Sequence, residues 1–301
     1  MRALVISGGG CKGAFAGGVA EYLIKEKQFD YDIFVGSSTG SLLIPLLAIG
    51  EIDKIRTAFT SVTQKDIYNI CPFRISKNPN GTLKKVSINH LNTIKMFIRK
   101  KKTFGEHWAL RKTIKRTVSE EDFEKIKKCN KRVIVAVSNI TKTNVEYKYA
   151  SDYKYEDFVD WMWASSSFVP FMNLVEKHGY EYADGGFGNY LPIEEAIDLG
   201  AKTIDVIVLN PRRRPNTKIK VSNAFDLLLK TMIFMQKQIA YSDVLIGHLE
   251  SIYNKDVKVN FIFPPRELTP HSFYFDPRQM TQWWKEGFEY GSTLFPTPPK
   301  F

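Results

Sequence analysis

Short, wholly apolar runs, each ending in a loop of small residues, constrain this chain more than any other feature. The first, Arg2-Ala-Leu-Val-Ile-Ser7, shows no polar alternation and runs straight into Gly8-Gly9-Gly10. A run of that kind is buried on both faces, as in a strand inside a parallel sheet. Asp32–Val35, Arg132–Val137 and Thr203–Leu209 read as further strands, Tyr180–Ala183 as a short one, and Val257–Phe263 closes the series; most of them are apolar on both faces. Between these runs lie segments of helical period. From Ala14 to Lys25, Phe15, Val19, Tyr22 and Leu23 fall on one face; Ser41–Ile49, Tyr155–Ser166 and Ile193–Leu199 follow, the last stopping at Gly200 as a C-cap. A long helix is expected from about Ser222. Strands alternating with helices predict one α/β domain whose parallel sheet is covered on both sides. The 44% apolar content of the 301 residues is ample for its core.

The segment from about 60 to 130 breaks the pattern. It is basic, reads as irregular, and carries the turn Asn78-Pro-Asn-Gly81. Between Lys84 and Arg132 there are 16 Lys and Arg against 5 Asp and Glu, so this stretch holds the whole net charge of +11. It can be a solvated surface, a footing on an anionic membrane, or a nucleic-acid patch. No nucleic-acid motif accompanies it, so no nucleic-acid partner is expected. Three scattered cysteines and five scattered histidines give neither a disulfide framework nor metal-ligand spacing, which fits a reduced, cytoplasmic setting. The N-terminus lacks the features of a signal peptide, and the run before Cys11 is too short for a lipidation signal. The best spanning candidate, Leu227–Ile239, is broken by Lys230, Gln236 and Lys237. Peripheral attachment to a membrane therefore remains the membrane option. On the long helix, Phe225, Leu228, Met232 and Met235 are expected to pack in the core rather than face lipid. Trp283-Trp284 is a weak candidate for dipping into an interface, and the Pro-rich tail from Phe295 is expected to fray.

Three loops carry chemistry. Gly8-Gly-Gly-Cys-Lys-Gly13 stands between a strand and a helix, where glycines let backbone N–H groups close on an anion. Gly8-x-Gly10-x-x-Gly13 also spells a dinucleotide fingerprint, but that needs an acid at the end of the second strand, and Gly36-Ser37-Ser38 stands there instead. A nucleotide-binding loop would need Gly-Lys-Ser/Thr, which is absent. The second loop, Gly36-Ser37-Ser38-Thr39-Gly40, is a G-x-S-x-G at a strand-to-helix junction, the setting of a nucleophile elbow. Its bland alternative is a turn in which Ser37 or Ser38 caps a helix. Both loops would emerge at the carboxyl edge of one sheet, placing a serine beside a cradle of donors, as acyl transfer requires. A base is still needed. None of the five histidines clearly follows a core strand, although His271 stays open; Tyr182-Ala-Asp184-Gly-Gly186 offers a carboxylate right after a short strand.

Together the glycine loop ending Lys12-Gly13, the Gly-Ser-Ser-Thr-Gly elbow and the Asp184-Gly-Gly loop resemble the patatin-like phospholipase family. Asp184-Gly-Gly-Phe-Gly-Asn189 with Leu191-Pro192-Ile193, Ala196 and Gly200 extends the likeness. Ala164-Ser-Ser-Ser167 does so too, with the following proline displaced by one, to Pro170. The resemblance runs over residues 2 to about 60 and about 130 to 210; the basic middle and the C-terminal third are unmatched.

The resemblance implies a three-layer α/β/α fold with a mainly parallel central sheet and a basic, partly helical insertion. Residues 1–301 would form a single domain, with about 60–130 as insertion or cap and about 210–301 as a helical region and last strand. It implies a Ser–Asp dyad without histidine: Ser38 attacks the ester, and Asp184 takes its proton and later activates the deacylating water. It also implies an oxyanion hole at Gly8, Gly9, Gly10 and Gly13, chiefly Gly9 and Gly10. Lys12 either meets an anionic head group or serves local structure. No cofactor or metal is called for. The expected activity is hydrolysis of phospholipid or lysophospholipid esters at a membrane surface reached through Lys84–Arg132, with any protein partner or activator unknown. The alternatives are a catalytically idle module that binds membrane or protein, and a soluble carboxylesterase of small esters.

Overall fold

The computed structural model describes residues 1–212 and 221–296. Strand β1 (Arg2–Ile6) leads through the glycine loop to α1 (Gly13–Glu21), whose end continues as a wider turn to Glu26. β2 (Ile33–Ser37) and α2 (Thr39–Ala48) form the elbow unit, followed by α3 (Ile52–Ser61) and the short α4 (Gln64–Ile67). The basic segment is more ordered than its composition predicts. It contains an antiparallel hairpin, β3 (Phe73–Lys77) and β4 (Leu83–Ile88), with Asn78-Pro-Asn-Gly81 at its turn. The hairpin is followed by α5 (His90–Ile98), α6 (Trp108–Thr117) and α7 (Glu120–Lys128). Lys and Arg are good helix formers on an outer face; they hide the inward positions Leu110, Ile114, Phe123 and Ile126, all buried. Ser119 and Asp122 close a capping box on α7.

The second half supplies β5 (Arg132–Asn139), β6 (Asn144–Tyr149), α8 (Tyr155–Ser165), β7 (Val175–Lys177), β8 (Tyr180–Asp184), α9 (Ile193–Asp198), β9 (Thr203–Ile207), α10 (Ala224–Tyr253), β10 (Lys258–Ile262) and α11 (Pro277–Leu294). The main sheet runs β10-β9-β1-β2-β5-β8-β7, with β6 also on β5. β10, β9, β1, β2 and β5 are mutually parallel, while β6, β7 and β8 join antiparallel. Sequence reading missed β6 and β7, which lie at the antiparallel margin where strands lose the continuous apolar run.

Alternate residues of the strands feed two cores, as the apolar runs require. Leu4 and Ile6 face a large core with α1, α2, α3, α6, α7, α8 and α11; Ala3 and Val5 face a smaller one with α9 and part of α10. Two expectations fail. The helix α10, about 45 Å long at 1.5 Å per residue, has only Ala240 and Gly247 fully buried. Its expected core face is split, since Met232 packs inward while Leu228 (36% exposed) and Met235 (56%) face solvent. Trp283 and Trp284 are buried instead of interfacial, and the Trp284 indole N–H donates to Glu21 Oε2 at 2.6 Å. The tail expected to fray lies outside the described residues beyond Pro296; Phe295 itself packs edge-on against Phe29. Among the described residues no helix is long and apolar enough to cross a membrane.

Helices α1 and α11 touch backbone to backbone. A Cβ on Gly18 would lie 1.9 Å from the Trp284 carbonyl oxygen, and one on Gly287 2.2 Å from that of Phe15. Gly18→Ala would gain about 1 kcal/mol in helix propensity, but a clash with backbone can be relieved only by separating the helices. The substitution is expected to lower the unfolding free energy by about 3 kcal/mol, read from the urea midpoint at unchanged slope.

Candidate active site

The elbow forms because its two glycines permit approaches that no side chain would survive. A Cβ on Gly40 would sit 2.1 Å from the Ile6 carbonyl oxygen, and one on Gly36 2.5 Å from the Gly40 backbone. Between them Ser38 adopts φ 53° and ψ −124°, a strained conformation for a residue with a Cβ. The surrounding chain fixes that strain in place. The Ser38 N–H donates to Ser165 Oγ at 3.0 Å, and the Ser38 carbonyl accepts from Ser41 N–H (2.9 Å) and Ser41 Oγ (2.6 Å). Ser166 Oγ donates to the same carbonyl at 3.3 Å.

Asp184 arrives from the opposite direction. β2 pairs with β5 up to Ser37↔Ala136, and β8, running antiparallel, pairs with the next β5 residues, Asp184 opposite Val137. β6 occupies the other side of Ile134–Asn139, so β2 and β8 share one edge of β5 and meet end to end. There Ser38 Oγ donates to Asp184 Oδ2 at 2.6 Å, and Gly186 N–H donates to Asp184 Oδ1 at 2.8 Å. Asp184 is 2% exposed. Burial raises its pKa to about 7, against the lowering effect of the hydrogen bonds from Ser38 and Gly186.

The glycine loop lies against the elbow, and a Cβ on Gly8 would come within 3.1 Å of Ser38 Cβ. Gly10 has φ +57°, where a side chain would run into the Ser272 carbonyl at 2.2 Å. Among the described residues no acceptor takes the N–H of Gly9 or Gly10, and both residues border the clefts at Ser38. The four expected donors therefore divide. The Gly13 N–H is spent inside its own turn, on the carbonyls of Gly10 and Cys11, and Gly13 serves close packing beneath Thr39. Gly8 offers its carbonyl to Tyr190 and Ser7 Oγ. Lys12 is buried, its ammonium donating to the Leu209 carbonyl (2.8 Å) and Asn210 Oδ1 (3.0 Å), and burial lowers its pKa to about 8. Those contacts tie Lys12 to the residues just beyond the end of β9, and Lys12 also borders the cleft beside Ser38.

Two clefts meet at Ser38 and Asp184. One, of about 760 Å³ including its solvent-open part, is walled by apolar side chains such as Leu42, Ile55, Phe59, Ile114, Met162 and Met280. The other, about 670 Å³, is bordered by Gly9, Lys12, Tyr190, Asn210, Gln236 and Lys237.

The sequence assigns no role to several residues at the site, the Ala164-Ser-Ser-Ser167 stretch of the family likeness among them. Ser165 and Ser166 hold the elbow, and the Ser167 carbonyl accepts the Asp184 N–H at 3.0 Å; the serine triplet after a helical segment was the available signal. His107 was not singled out. It is fully buried, with Nε2 2.9 Å from Ser167 Oγ and Nδ1 accepting the Asn173 N–H at 3.0 Å, and burial lowers its pKa to about 4. Among the described residues His271 makes no hydrogen bond to Ser38 or Asp184; its carbonyl accepts from Cys11 Sγ and its N–H donates to Thr269 Oγ1.

No curated protein matches the sequence. Among solved structures the chain is similar to VipD from Legionella pneumophila, at 14% identity and a TM-score of 0.49, over 97% of this chain and 66% of that one. The chain thus spans just under two thirds of that protein's length. The sequence profile described as patatin-like phospholipase matches residues 4–197, more than half of the chain, from β1 through α9. The chain belongs to the patatin-like phospholipase family, whose members are generally lipid hydrolases.

Proposed function

We propose that this chain hydrolyses the carboxylic ester bonds of phospholipids or lysophospholipids, with Ser38 as nucleophile and Asp184 as its base. The observation that carries the reading is the 2.6 Å hydrogen bond from Ser38 Oγ to a buried Asp184 whose pKa is raised to about 7. An ordinary carboxylate near ~3.9 is too weak a base for a serine hydroxyl; burial narrows that gap. Ser38 attacks the ester carbonyl while Asp184 takes its proton, and the N–H groups of Gly9 and Gly10 receive the oxyanion. Asp184 returns the proton to the leaving alcohol, and the acyl group stays on Ser38. A water then gives its proton to Asp184 and attacks the acyl carbonyl, and the proton passes back to Ser38 as the fatty acid leaves. The apolar cleft suits the acyl chain, and the polar one the glycerol and head group. That division favours a lipid over a small soluble ester.

Ser38→Ala and Asp184→Asn should each reduce fatty acid release from phospholipid vesicles by about 10⁴-fold or more. Both should keep a wild-type circular dichroism spectrum. Full activity in Ser38→Ala would remove the nucleophile assignment.

The pH dependence follows from Asp184. A base acts only when ionised, so kcat/KM should be low below pH about 6, rise through about 7 and level off above. The stability effect runs the other way. A folded pKa raised above the unfolded value means stability present at low pH is lost as pH climbs from about 4 to about 7. Asp184→Asn escapes that loss, so its Tm should exceed the wild type's in the alkaline range while its activity is gone; differential scanning calorimetry alongside the rate profile checks both.

A further inference from the structure

The cations of the basic segment are of two kinds. Lys101, Lys102, Arg111, Lys115, Arg116, Lys125 and Lys131 each lie within ion-pair distance of a carboxylate. Those charges are largely answered within the fold. Lys84 and Lys85 on β4, Lys95 on α5, and Arg99 and Lys100 at its end are exposed and form no ion pair with any described residue. They sit in a stretch, residues 67–105, that contains no Asp or Glu at all.

The same stretch bears an apolar face that no described residue covers. On α5, Thr93 and Met96 point inward and are buried, while Leu91 (81%), Ile94 (53%), Phe97 (59%) and Ile98 (77%) stand in solvent. Outward positions of a solvated surface helix are normally polar, and a contiguous exposed apolar patch marks an interaction site. Phe225, in the first turn of α10, packs against Phe104 at 5.1 Å and His90 at 6.3 Å. The exposed Leu228 and Met235 lie on the same half of α10 as Phe225, the side that meets α5, whereas the exposed Leu227 and Phe234 lie on the opposite half. In the same turns Ile233, Gln236 and Lys237 border the polar cleft. Aromatic rings also connect the two regions from beneath, Phe97 to Phe104 to Phe171 to Phe168, which borders that cleft.

We propose that α5 and the first half of α10 form the platform on which this protein sits on an anionic lipid bilayer, Leu91, Ile94, Phe97 and Ile98 entering the interface and Lys84, Lys85, Lys95, Arg99 and Lys100 ringing them. Apolar side chains surrounded by unpaired cations suit that surface, because burial and attraction to anionic head groups add. A protein partner is disfavoured because all five free charges have one sign and none is set in a polar network. The inference rests on the proposed lipid hydrolase for its purpose, since it brings the cleft mouth to the substrate's plane, but it can be tested apart from it.

The full chain carrying Ser38→Ala would be co-sedimented with phosphatidylcholine vesicles with and without phosphatidylserine, at low and high salt. Strong binding is expected only with phosphatidylserine, weakened by salt. Ile94→Glu with Ile98→Glu should weaken binding by about ten-fold or more, and Lys95→Gln or Arg99→Gln by about five-fold each. Lys115→Gln, already paired on α6, serves as control and should change little. The α5 positions are exposed and Lys115 is half-buried, and circular dichroism checks that the variants fold. Made on the Ser38 background, the same α5 variants should hydrolyse a monomeric short-chain ester at the wild-type rate while losing activity on vesicles. Absence of vesicle binding, or undiminished binding by the α5 variants, overturns the platform and leaves the face to a protein partner. Vesicle binding that depends on α5 in a chain inactive on every ester would keep the platform and sink the hydrolase reading instead.

Discussion

One edge of β5 organises this molecule. Residues 132–136 of that edge pair with β2 and residues 137–139 with β8, so two strands running in opposite directions stop against each other at the sheet's centre. Hydrogen-bond register fixes the result: Ser37 and Asp184 are partners of consecutive residues, Ala136 and Val137. Neither loop needs to reach for the other. A serine one residue past β2 and a carboxylate ending β8 are held together by backbone pairing, the most rigid device available for positioning a pair of side chains. Gly185 is the condition for it, since a Cβ there would lie 2.2 Å from the Ala136 carbonyl oxygen.

That arrangement explains which parts of the chain were legible beforehand. β1, β2 and β5 are buried on both faces and declare themselves as apolar runs, while β9 and β10, interrupted by Asp205 and by Lys258 and Asn260, are legible from the apolar residues around those positions. The loops that end β1 and β2 declare themselves as glycines, because backbone must pass within van der Waals contact of backbone at Gly10, Gly36 and Gly40. Asp184 was readable as a carboxylate after a strand, but not as the end of an antiparallel strand, since direction is a pairing property absent from local sequence. The donor set was readable only as a group. Separating Gly9 and Gly10 from Gly13 depends on where each N–H points, which the repeated glycine letters do not encode. The basic segment and α10 were misjudged for a related reason: periodicity identifies a helix and its faces but does not say which face meets the protein. On α10, Met232 and Met235 carry the same letter and opposite fates.

The glycine contacts also show how tightly the site is tied to the layer behind it. Gly17 and Gly18 let α1 lie against α11, so that Trp284 reaches Glu21, and Arg56 of α3 donates to the same carboxylate at 2.9 Å. α1 begins at the glycine loop and α3 lines the apolar cleft. The packing that seats the loop beside Ser38 therefore also shapes the apolar cleft, and a change at the α1–α11 seam would be felt at both.

The chemistry depends equally on what is not charged. Next to Asp184, whose N–H donates to the Ser167 carbonyl, lies a polar chain: His107 Nδ1 is 2.9 Å from Asn173 Oδ1 and 3.0 Å from the Asn173 nitrogen, Nε2 is 2.9 Å from Ser167 Oγ, and Ser167 Oγ donates to the Trp163 carbonyl. His107, Ser167 and Trp163 in that chain are buried, and each polar group in it has a partner, as burial demands. Because burial holds the imidazole pKa down to about 4, it stays neutral wherever the carboxylate can act as a base. A cation at that place would stabilise the Asp184 carboxylate and draw its pKa back toward the ordinary range, making a weaker base of it. The three serines that end α8 are the alternative to such a cation. They satisfy the elbow's backbone and the Asp184 N–H with dipoles alone, leaving desolvation as the dominant influence on the Asp184 carboxyl.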